Sequence, residues 1–313
     1  MSQSNRSAPP PGQAGFLYGI AAYGLWGMMP LYFRAVAGVH PLELLAHRIL
    51  WSVAFLGLIL TLLGRLVDLV QVFKRPRLCA LLLGSTLLIA LNWFVFIYGV
   101  WIGQVVQNSL GYFINPLFNI VLGMLLFRER LHPAQWMALG LATVGLLYLI
   151  AARGEFPWIA FTLATSFAAY GVIRKVAPVD ALLGLTVETL FLFPVALVML
   201  LLWGYQGVLA FGAHSQTVDV LLVASGVVTA VPLLCFGAAA RRLPLTTLGF
   251  LQYLAPTLQF LLAVFYLGEP FRIEQQISFS CIWLALVLVT IDGLLRRRRR
   301  IALADAEPSP DPA

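Results

Sequence analysis

The stretch VQNSLGYFINPLFNIVLGMLLF, residues 106–127, is apolar, carries no charged residue and has a proline, Pro116, near its middle. About twenty such residues in a helix cross the roughly 30 Å hydrocarbon core of a bilayer. The stretch LTTLGFLQYLAPTLQFLLAVFYL, residues 245–267, has the same character, with Pro256 near its middle. A proline inside a helix removes one backbone hydrogen bond and frees a carbonyl group. The two stretches therefore predict membrane-spanning helices that are each broken near the middle.

Apolar runs of similar length follow one another along nearly the whole chain. Hydrophobic residues make up 61% of the 313 residues and charged residues only 11%, where soluble proteins carry about a quarter charged. The sequence therefore predicts an all-α integral membrane protein with ten transmembrane helices. The predicted spans are residues 15–34, 43–63, 78–100, 106–127, 133–151, 156–173, 181–203, 218–240, 245–267 and 275–294.

The positions of lysine and arginine predict the orientation, because cytoplasmic loops of membrane proteins are enriched in both. With ten spans and a cytoplasmic N-terminus, 16 of the 20 lie on the cytoplasmic side and three outside, while Arg48 lies within a span. Both termini are therefore predicted to be cytoplasmic, with residues 1–14 disordered and residues 295–313 basic and then disordered. The cytoplasmic set is Arg6, Arg65, Lys74, Arg75, Arg77, Arg128, Arg130, Arg174, Lys175, Arg241, Arg242 and Arg296–Arg300, and the outer set is Arg34, Arg153 and Arg272.

The two halves of the chain resemble each other at a constant offset of 140 residues. Asn115-Pro116 corresponds to Ala255-Pro256, and the span-ending Phe127-Arg128-Glu129 corresponds to Leu267-Gly268-Glu269. Each repeat holds an odd number of spans, so the second must enter the membrane from the opposite face. Residues 15–151 and 156–294 are thus predicted to form two inverted five-helix repeats.

Several sequence blocks resemble the RarD-type branch of the EamA proteins, within the drug/metabolite transporter superfamily. They are Leu91-Asn92-Trp93, Ser109 to Leu117, Ser166 to Gly171, Val228 to Phe236, and Thr247 to Tyr253 with Pro256-Thr257. The resemblance covers about residues 15–294. It implies a bacterial inner-membrane protein, multi-pass and of permease type, that moves metabolites or drug-like molecules, usually outward. Gln107-Asn108 stand where the family carries an acidic residue, which puts proton coupling at that position in doubt.

Paired broken helices at symmetry-related positions predict a transporter's substrate site, so polar and aromatic side chains near the prolines are candidates to bind substrate. The alternative is a packing kink in which amides link neighbouring helices. Most aromatic residues in such a chain pack or lie at the membrane interface. The candidate substrate-binding residues are Trp26, Asn92, Trp93, Tyr112, Asn115, Gln252 and Tyr253, and the predicted helix breaks are Pro116, Pro232 and Pro256.

Two charged residues lie inside predicted spans at positions related by the same offset, Arg48 and Glu188. A charge at that depth costs at least about 2.5–3.5 kcal/mol, so each is expected to face the protein interior or water. Arg48 is a candidate to bind a substrate carboxylate, and Glu188 to carry a coupling proton or face an ammonium group. The alternatives are an arginine that snorkels to the surface and a glutamate that caps a neighbouring helix. Glu129 and Glu269 are predicted to mark span ends and to pair helices.

Other classes of function find little support in the sequence. No nucleotide-binding loop, catalytic motif or metal-ligand spacing occurs, so we expect no cofactor, no metal site and no enzymatic activity. The basic clusters follow the membrane topology, and nucleic-acid binding is not expected. The expected function is secondary transport of a small-molecule substrate across the lipid bilayer, most simply efflux by alternating access. The alternatives are a membrane-embedded enzyme and a non-transporting sensor or partner subunit, and a monomer and a homodimer are both compatible with the sequence.

Overall fold

A computed structural model describes residues 11–102, 105–152 and 158–266, together with scattered positions from Ile273 to Leu295. The regular secondary structure in this part of the chain is helical. The helices are α1 (Pro11–Gly27), α2 (Met29–Ala35), α3 (Pro41–Leu62), α4 (Leu66–Phe73), α5 (Pro76–Trp101), α6 (Val105–Phe127), α7 (Pro133–Ala151), α8 (Trp158–Val176), α9 (Ala181–Gln206), α10 (Gln216–Ala240), α11 (Leu245–Gln252) and α12 (Leu254–Leu261), followed by a π-helical turn (Leu262–Tyr266).

Some of the predicted features lie outside the described residues. They are residues 1–10 and 296–313, the residues Arg153, Glu269, Arg272 and Gln275, and the side chains of Gln107 and Asn108. The predicted tenth span, 275–294, is described only at scattered positions.

Seven of the described helical segments are long and apolar enough to cross a membrane. They coincide with the predicted spans 2, 3 and 5–9, and shorter apolar stretches fall within spans 4 and 10. The chain is therefore a multi-pass, all-helical membrane protein. The seven segments are Pro41–Leu62, Pro76–Phe96, Pro133–Ala151, Trp158–Val176, Ala181–Gln206, Gln216–Ala240 and Leu245–Tyr266, and the two shorter stretches are Gly111–Phe127 and Gln276–Val289.

Two local features differ from the prediction. Residues 11–14, which were predicted to be disordered, belong to helix α1. A short helix, α4, lies in the loop between α3 and α5, with Val67, Val70 and Phe73 exposed and Val72 buried. Eight residues are too few to cross a bilayer, so α4 is a connecting element.

Of the three prolines that were predicted to break helices, only Pro256 lies at a break. This corrects the prediction at Pro116 and Pro232. Helices α6 and α10 run through these prolines without interruption. A single proline removes one hydrogen bond of the helix, which is enough to bend a helix that neighbours support but not to end it. The break in the ninth span falls at Tyr253, between α11 and α12. Pro256 explains its place, because it cannot donate to the carbonyl of Gln252, the residue at which α11 ends.

The two halves of the chain interleave instead of packing as separate bundles. Helix α3 of the first half packs against α9 and α10 of the second, and α8 of the second packs against α5 and α6 of the first. At the crossing of α3 and α10, Ser52 donates a hydrogen bond to the carbonyl of Gly226 (3.2 Å). A Cβ at Gly226 would overlap the backbone of Trp51. Small residues allow helices to approach this closely in membranes.

We expect Gly226→Ala to destabilise the protein by about 1–3 kcal/mol, the usual range for overpacking a close contact. Gly57→Ala is the matched control, because Gly57 lies on α3 with no atom near a Cβ placed there. Melting of the detergent-purified variants, followed by the monodisperse fraction on gel filtration, measures the difference. Equal melting of the two variants would contradict the close helix contact.

Candidate functional site

A cavity of about 270 Å³ lies between helices of the two halves, at the level of the break in the ninth span. Its volume is near the lower end of the range for small-molecule sites, roughly 300–1,000 Å³. Six of the seven predicted substrate-binding residues line it, as do Arg48 and Pro256. The lining residues are Tyr23, Trp26, Met29, Phe33, Arg48, Ile89, Asn92, Trp93, Phe96, Gly111, Tyr112, Asn115, Leu163, Phe167, Thr229, Leu233, Gln252, Ala255, Pro256 and Gln259.

Arg48, on α3, is the cationic residue of this lining. Its Nε donates a hydrogen bond to Oγ1 of Thr229 on α10 (2.8 Å). The centre of the guanidinium lies 5.5 Å from the ring of Trp93 and 5.9 Å from the ring of Phe33. Both distances allow attraction between the cation and the aromatic faces. Among the described residues, Arg48 has no carboxylate within ion-pair distance.

Two amide side chains of the cavity lining, Asn92 and Gln259, donate hydrogen bonds to neighbouring helices. Asn92 donates from Nδ2 to the carbonyl of Leu163 (2.8 Å) and to Oγ of Ser166 (3.0 Å). Gln259 donates from Nε2 to the carbonyl of Trp26 (3.1 Å). These bonds orient the amide groups and link neighbouring helices. The same side chains also line the cavity.

A second amide network connects the two proline-containing spans. Asn119 Nδ2 donates to Oε1 of Gln252 (2.7 Å) and to Oδ1 of Asn115 (3.3 Å). All three side chains are buried. Asn115 and Gln252 reach the cavity, while Asn119 joins α6 to α11 behind them. Asn119 is not among the predicted site residues, and only the structure shows that it holds Gln252 in position.

Aromatic rings form most of the remaining wall. Trp26 lies against Tyr23, Phe167 and Phe236, with ring centroids 5.6, 5.6 and 5.8 Å away. Tyr112 lies 6.0 Å from Phe96. The cavity therefore combines extended apolar faces with one cation and several oriented amides.

Tyr253, Pro116 and Pro232 were also predicted as site residues, but they do not line the cavity. Tyr253 is buried in the apolar cluster around Phe113, Ile114 and Phe250. Its side chain packs in this cluster, whereas that of the preceding residue, Gln252, lines the cavity.

Glu188, which was expected to face the protein interior or water and is a candidate to carry a coupling proton or face an ammonium group, does not line the cavity and lies in a buried polar cluster. Its carboxylate accepts hydrogen bonds from Ser85 (2.5 Å), Tyr170 (3.2 Å) and Arg174 (3.3 Å). Glu188 and Arg174 are each 2% exposed. Gly184 leaves room for the guanidinium, since a Cβ at Gly184 would overlap it.

Arg174 was counted as a cytoplasmic loop charge, so the structure corrects its place. It lies in the last turn of α8, where the sequence pattern suggests a span end. Its burial depends on Glu188, on the facing helix α9, and the sequence alone does not show that these two residues meet. The one signal was that Arg174 directly follows a predicted span end and Glu188 lies within the next predicted span.

Contacts between the two halves close one face of the protein, where α6 ends and α11 begins. Glu129 accepts hydrogen bonds from the backbone N–H groups of Leu245 (2.7 Å) and Thr246 (2.9 Å), at the first turn of α11. Lys175 Nζ lies 3.6 Å from the same carboxylate and donates to the carbonyl of Leu243 (2.7 Å). A carboxylate at a helix N-terminus satisfies free N–H groups and complements the helix dipole. The predicted helix-pairing role of Glu129 is thus seen in the structure.

A second ion pair lies on the same face, in loops outside the membrane spans. Arg65 Nη2 contacts Asp180 Oδ2 at 2.6 Å, and Asp180 caps the N-terminus of α9. Burial alone would raise the pKa of the Asp180 carboxyl. The hydrogen bonds from Arg65 and from the N–H of Leu183 outweigh this effect and hold the pKa below its ordinary value. The carboxylate is therefore ionised, and the pair intact, at neutral pH.

Glu43, in the first turn of α3 on the opposite face, binds the loop between α9 and α10. Its carboxylate accepts hydrogen bonds from the N–H groups of Ala210 (2.8 Å) and Phe211 (3.1 Å). Glu43 is buried and lies near His47, whose Nε2 is 3.8 Å away. Each face thus holds at least one carboxylate that joins the first half of the chain to the second.

Comparison with known proteins gives consistent results. Residues 13–151 match the EamA-like transporter family. The chain is 44% identical to an uncharacterized transporter of Vibrio cholerae, over 90% of this chain and 93% of that protein. It is 44% identical to Protein RarD of Streptomyces exfoliatus, over 95% of each chain. It is 42% identical to Protein RarD of Escherichia coli, over 91% of this chain and 96% of that protein.

A solved crystal structure shares the fold. It superimposes with a TM-score of 0.67 over 90% of this chain and 98% of the other. The sequence identity is 19%, so this likeness concerns the fold alone.

Proposed function

The chain belongs to the EamA-like transporter family, and from this premise we propose that it is a secondary transporter that exports a small metabolite, amino acid or drug-like compound. Members of the family are multi-pass membrane transporters and not enzymes. Family membership therefore indicates that the chain lies in a lipid bilayer and acts on a small-molecule substrate. The direction of transport, its mechanism and the kind of substrate are the proposal.

The cavity is the observation that supports this function most directly. It lies where helices of the two halves meet, beside the break between α11 and α12. Helix breaks in membranes persist where the freed backbone groups face protein or a wet cavity. In secondary transporters, discontinuous helices at the interface of two repeats form the substrate site.

We further propose ten transmembrane helices, arranged as two inverted five-helix repeats, with both termini in the cytoplasm. The contacts of Glu129 and Lys175 would then close the cytoplasmic face, and those of Glu43 would lie at the outer face. Alternating access requires the two faces to open in turn around a central site. The chain has no nucleotide-binding motif, so a gradient, of an ion or of the substrate itself, would drive the cycle.

Untargeted metabolite profiling of the culture medium tests export. The comparison uses a deletion strain, a strain that overproduces the intact protein, and a strain that produces the Asn115→Ala/Gln252→Ala double variant. We expect at least one compound to accumulate outside only with the intact protein, because the double variant removes two amides of the cavity. Gln135→Ala is the control, since Gln135 caps α7 and does not line the cavity.

Two results would contradict the proposal. If the media are indistinguishable while the protein is confirmed in the membrane, export is wrong. If a compound binds the purified protein but does not cross the membrane of reconstituted vesicles, the protein is a sensor or a partner subunit.

A further inference from the structure

The charge balance of the cavity points to a particular class of substrate. Arg48 is a cation in the lining, and no acidic residue is part of it among the described residues. Glu188, which could have offered a negative charge to an ammonium group, is bound by Arg174, Ser85 and Tyr170 outside the cavity. The cavity therefore presents an uncompensated positive charge to whatever enters it.

The guanidinium of Arg48 is the charged hydrogen-bond donor of the cavity lining. A guanidinium has five N–H donors. One of those of Arg48, on Nε, is used by Thr229, which holds the planar fork in place. Both N–H groups of the lining residue Asn92 already donate to protein acceptors. The terminal nitrogens of Arg48 are thus charged donors that the cavity offers to a ligand, beside the neutral amides of Asn115 and Gln252.

The surroundings of Arg48 specify the rest of the ligand. The rings of Trp93 and Phe33 flank the guanidinium, and that of Trp26 lines the same cavity. Aromatic faces bind planar apolar groups by stacking and edge contacts. An arginine fork matches a carboxylate, which can accept two parallel hydrogen bonds from it. A partly buried arginine without a carboxylate partner is poorly compensated, and a bound anion would supply the missing partner.

We infer that the substrate is a small organic monoanion with an apolar, aromatic body, whose carboxylate is bound by Arg48. This inference rests on the proposed function, since it names the substrate class of the same cavity. It favours anions over cations and over zwitterions, because the cavity lining offers no partner carboxylate to an ammonium group.

Four probes with the same phenylalkyl body but different charge test the inference. They are 3-phenylpropionate (anion), 3-phenylpropionamide (neutral), phenylalanine (zwitterion) and phenethylamine (cation). Binding to the detergent-purified protein is measured by titration calorimetry. We expect the anion to bind at least about tenfold more tightly than the amide, because hydrogen bonds to ionised groups are about twice as strong as neutral ones.

Variants at Arg48 test whether this residue causes the preference for the anion over the amide. Arg48→Met keeps an unbranched side chain but removes the guanidinium, and it should abolish the preference for the anion over the amide. Arg48→Lys keeps the charge but not the fork, so it should retain part of the preference. Arg34→Ala is the matched control, since it removes one exposed arginine at the end of α2 without touching the cavity. The melting temperature of each variant verifies that it is folded.

Flux of the same probes in reconstituted vesicles separates this inference from the proposed function. Selective binding of the anion without flux would support the substrate class and contradict transport. Flux of the amide or the amine at the rate of the anion would support transport and overturn the substrate class. The inference is also overturned if 3-phenylpropionate does not bind, or if Arg48→Met binds it as tightly as the intact protein does.

Discussion

Replacing Glu188 by alanine is expected to destabilise the protein by about 3–5 kcal/mol, because it leaves the guanidinium of Arg174 buried without its carboxylate. Arg174 is 2% exposed, so water cannot replace the lost partner. The hydroxyl groups of Ser85 and Tyr170 would also lose their common acceptor. Unfolding by SDS titration of bicelle-embedded protein, or melting in detergent for a ranking, measures the loss.

A double-mutant cycle distinguishes this reason from a simple loss of packing. Arg174→Met alone should also destabilise, since it leaves the Glu188 carboxylate buried. The pair Arg174→Met/Glu188→Leu removes both charges and should recover most of the loss, because well-packed apolar residues can replace a buried ion pair at little cost. A double variant as unstable as the sum of the single variants would show that the pair is not coupled.

The same variants bear on the mechanism of transport. If Glu188 carried a coupling proton, the folded double variant would lose flux driven by a pH gradient. If the cluster is structural, as its hydrogen bonds indicate, the double variant should transport at a rate close to that of the intact protein. Vesicle flux with and without a pH gradient decides between the two roles.

Removing the carboxylate of Glu129 is expected to open the face that it closes. Glu129→Gln keeps the size of the side chain but removes the negative charge. The carboxylate accepts hydrogen bonds from the N–H groups of Leu245 and Thr246 and attracts Lys175. Hydrogen bonds to a charged group contribute about 1.5–3 kcal/mol each. Losing even one of them shifts the balance between closed and open states by about tenfold or more.

Thiol labelling measures this shift directly. In a background in which Cys79, Cys235 and Cys281 are replaced, Thr246→Cys places a thiol beside Glu129, at a position that is 5% exposed. Labelling by a membrane-impermeant maleimide, added to inside-out vesicles, should become about tenfold faster with Glu129→Gln, by the same free-energy difference.

Glu43→Gln is the matched control, because it removes the equivalent carboxylate from the opposite face. It should leave the labelling of Thr246→Cys unchanged or slow it, since a weaker contact at the other face favours closure at this one. Equal acceleration by both variants would indicate general loosening of the fold and would contradict a specific closing contact. Labelling that is fast only from the outside of intact cells would contradict the proposed orientation.

Much of the cavity was predictable from single residues. A polar or charged side chain in an apolar span is costly at the bilayer centre, so it must face protein, water or ligand. That rule selected Arg48, Asn92, Asn115 and Gln252, and the structure places all four in the lining of the cavity. The same rule selected Glu188, which the structure places in the protein interior beside Arg174. The rule states that a buried charge has a partner but not which residue that partner is.

The family, seven of the membrane-spanning segments and eight of the twenty cavity residues could be determined from the sequence by itself. A membrane span is recognised from the hydrophobicity of about twenty neighbouring residues, and the family resemblance lies in contiguous blocks of sequence. Neither recognition requires knowledge of contacts between distant residues. Only the tertiary structure decided that Arg174 meets Glu188, that Glu129 caps α11, and that α6 continues through Pro116. These features depend on which helices of the two halves lie side by side. Pairing between residues far apart in the chain is set by packing of the whole molecule, and no local pattern carries it.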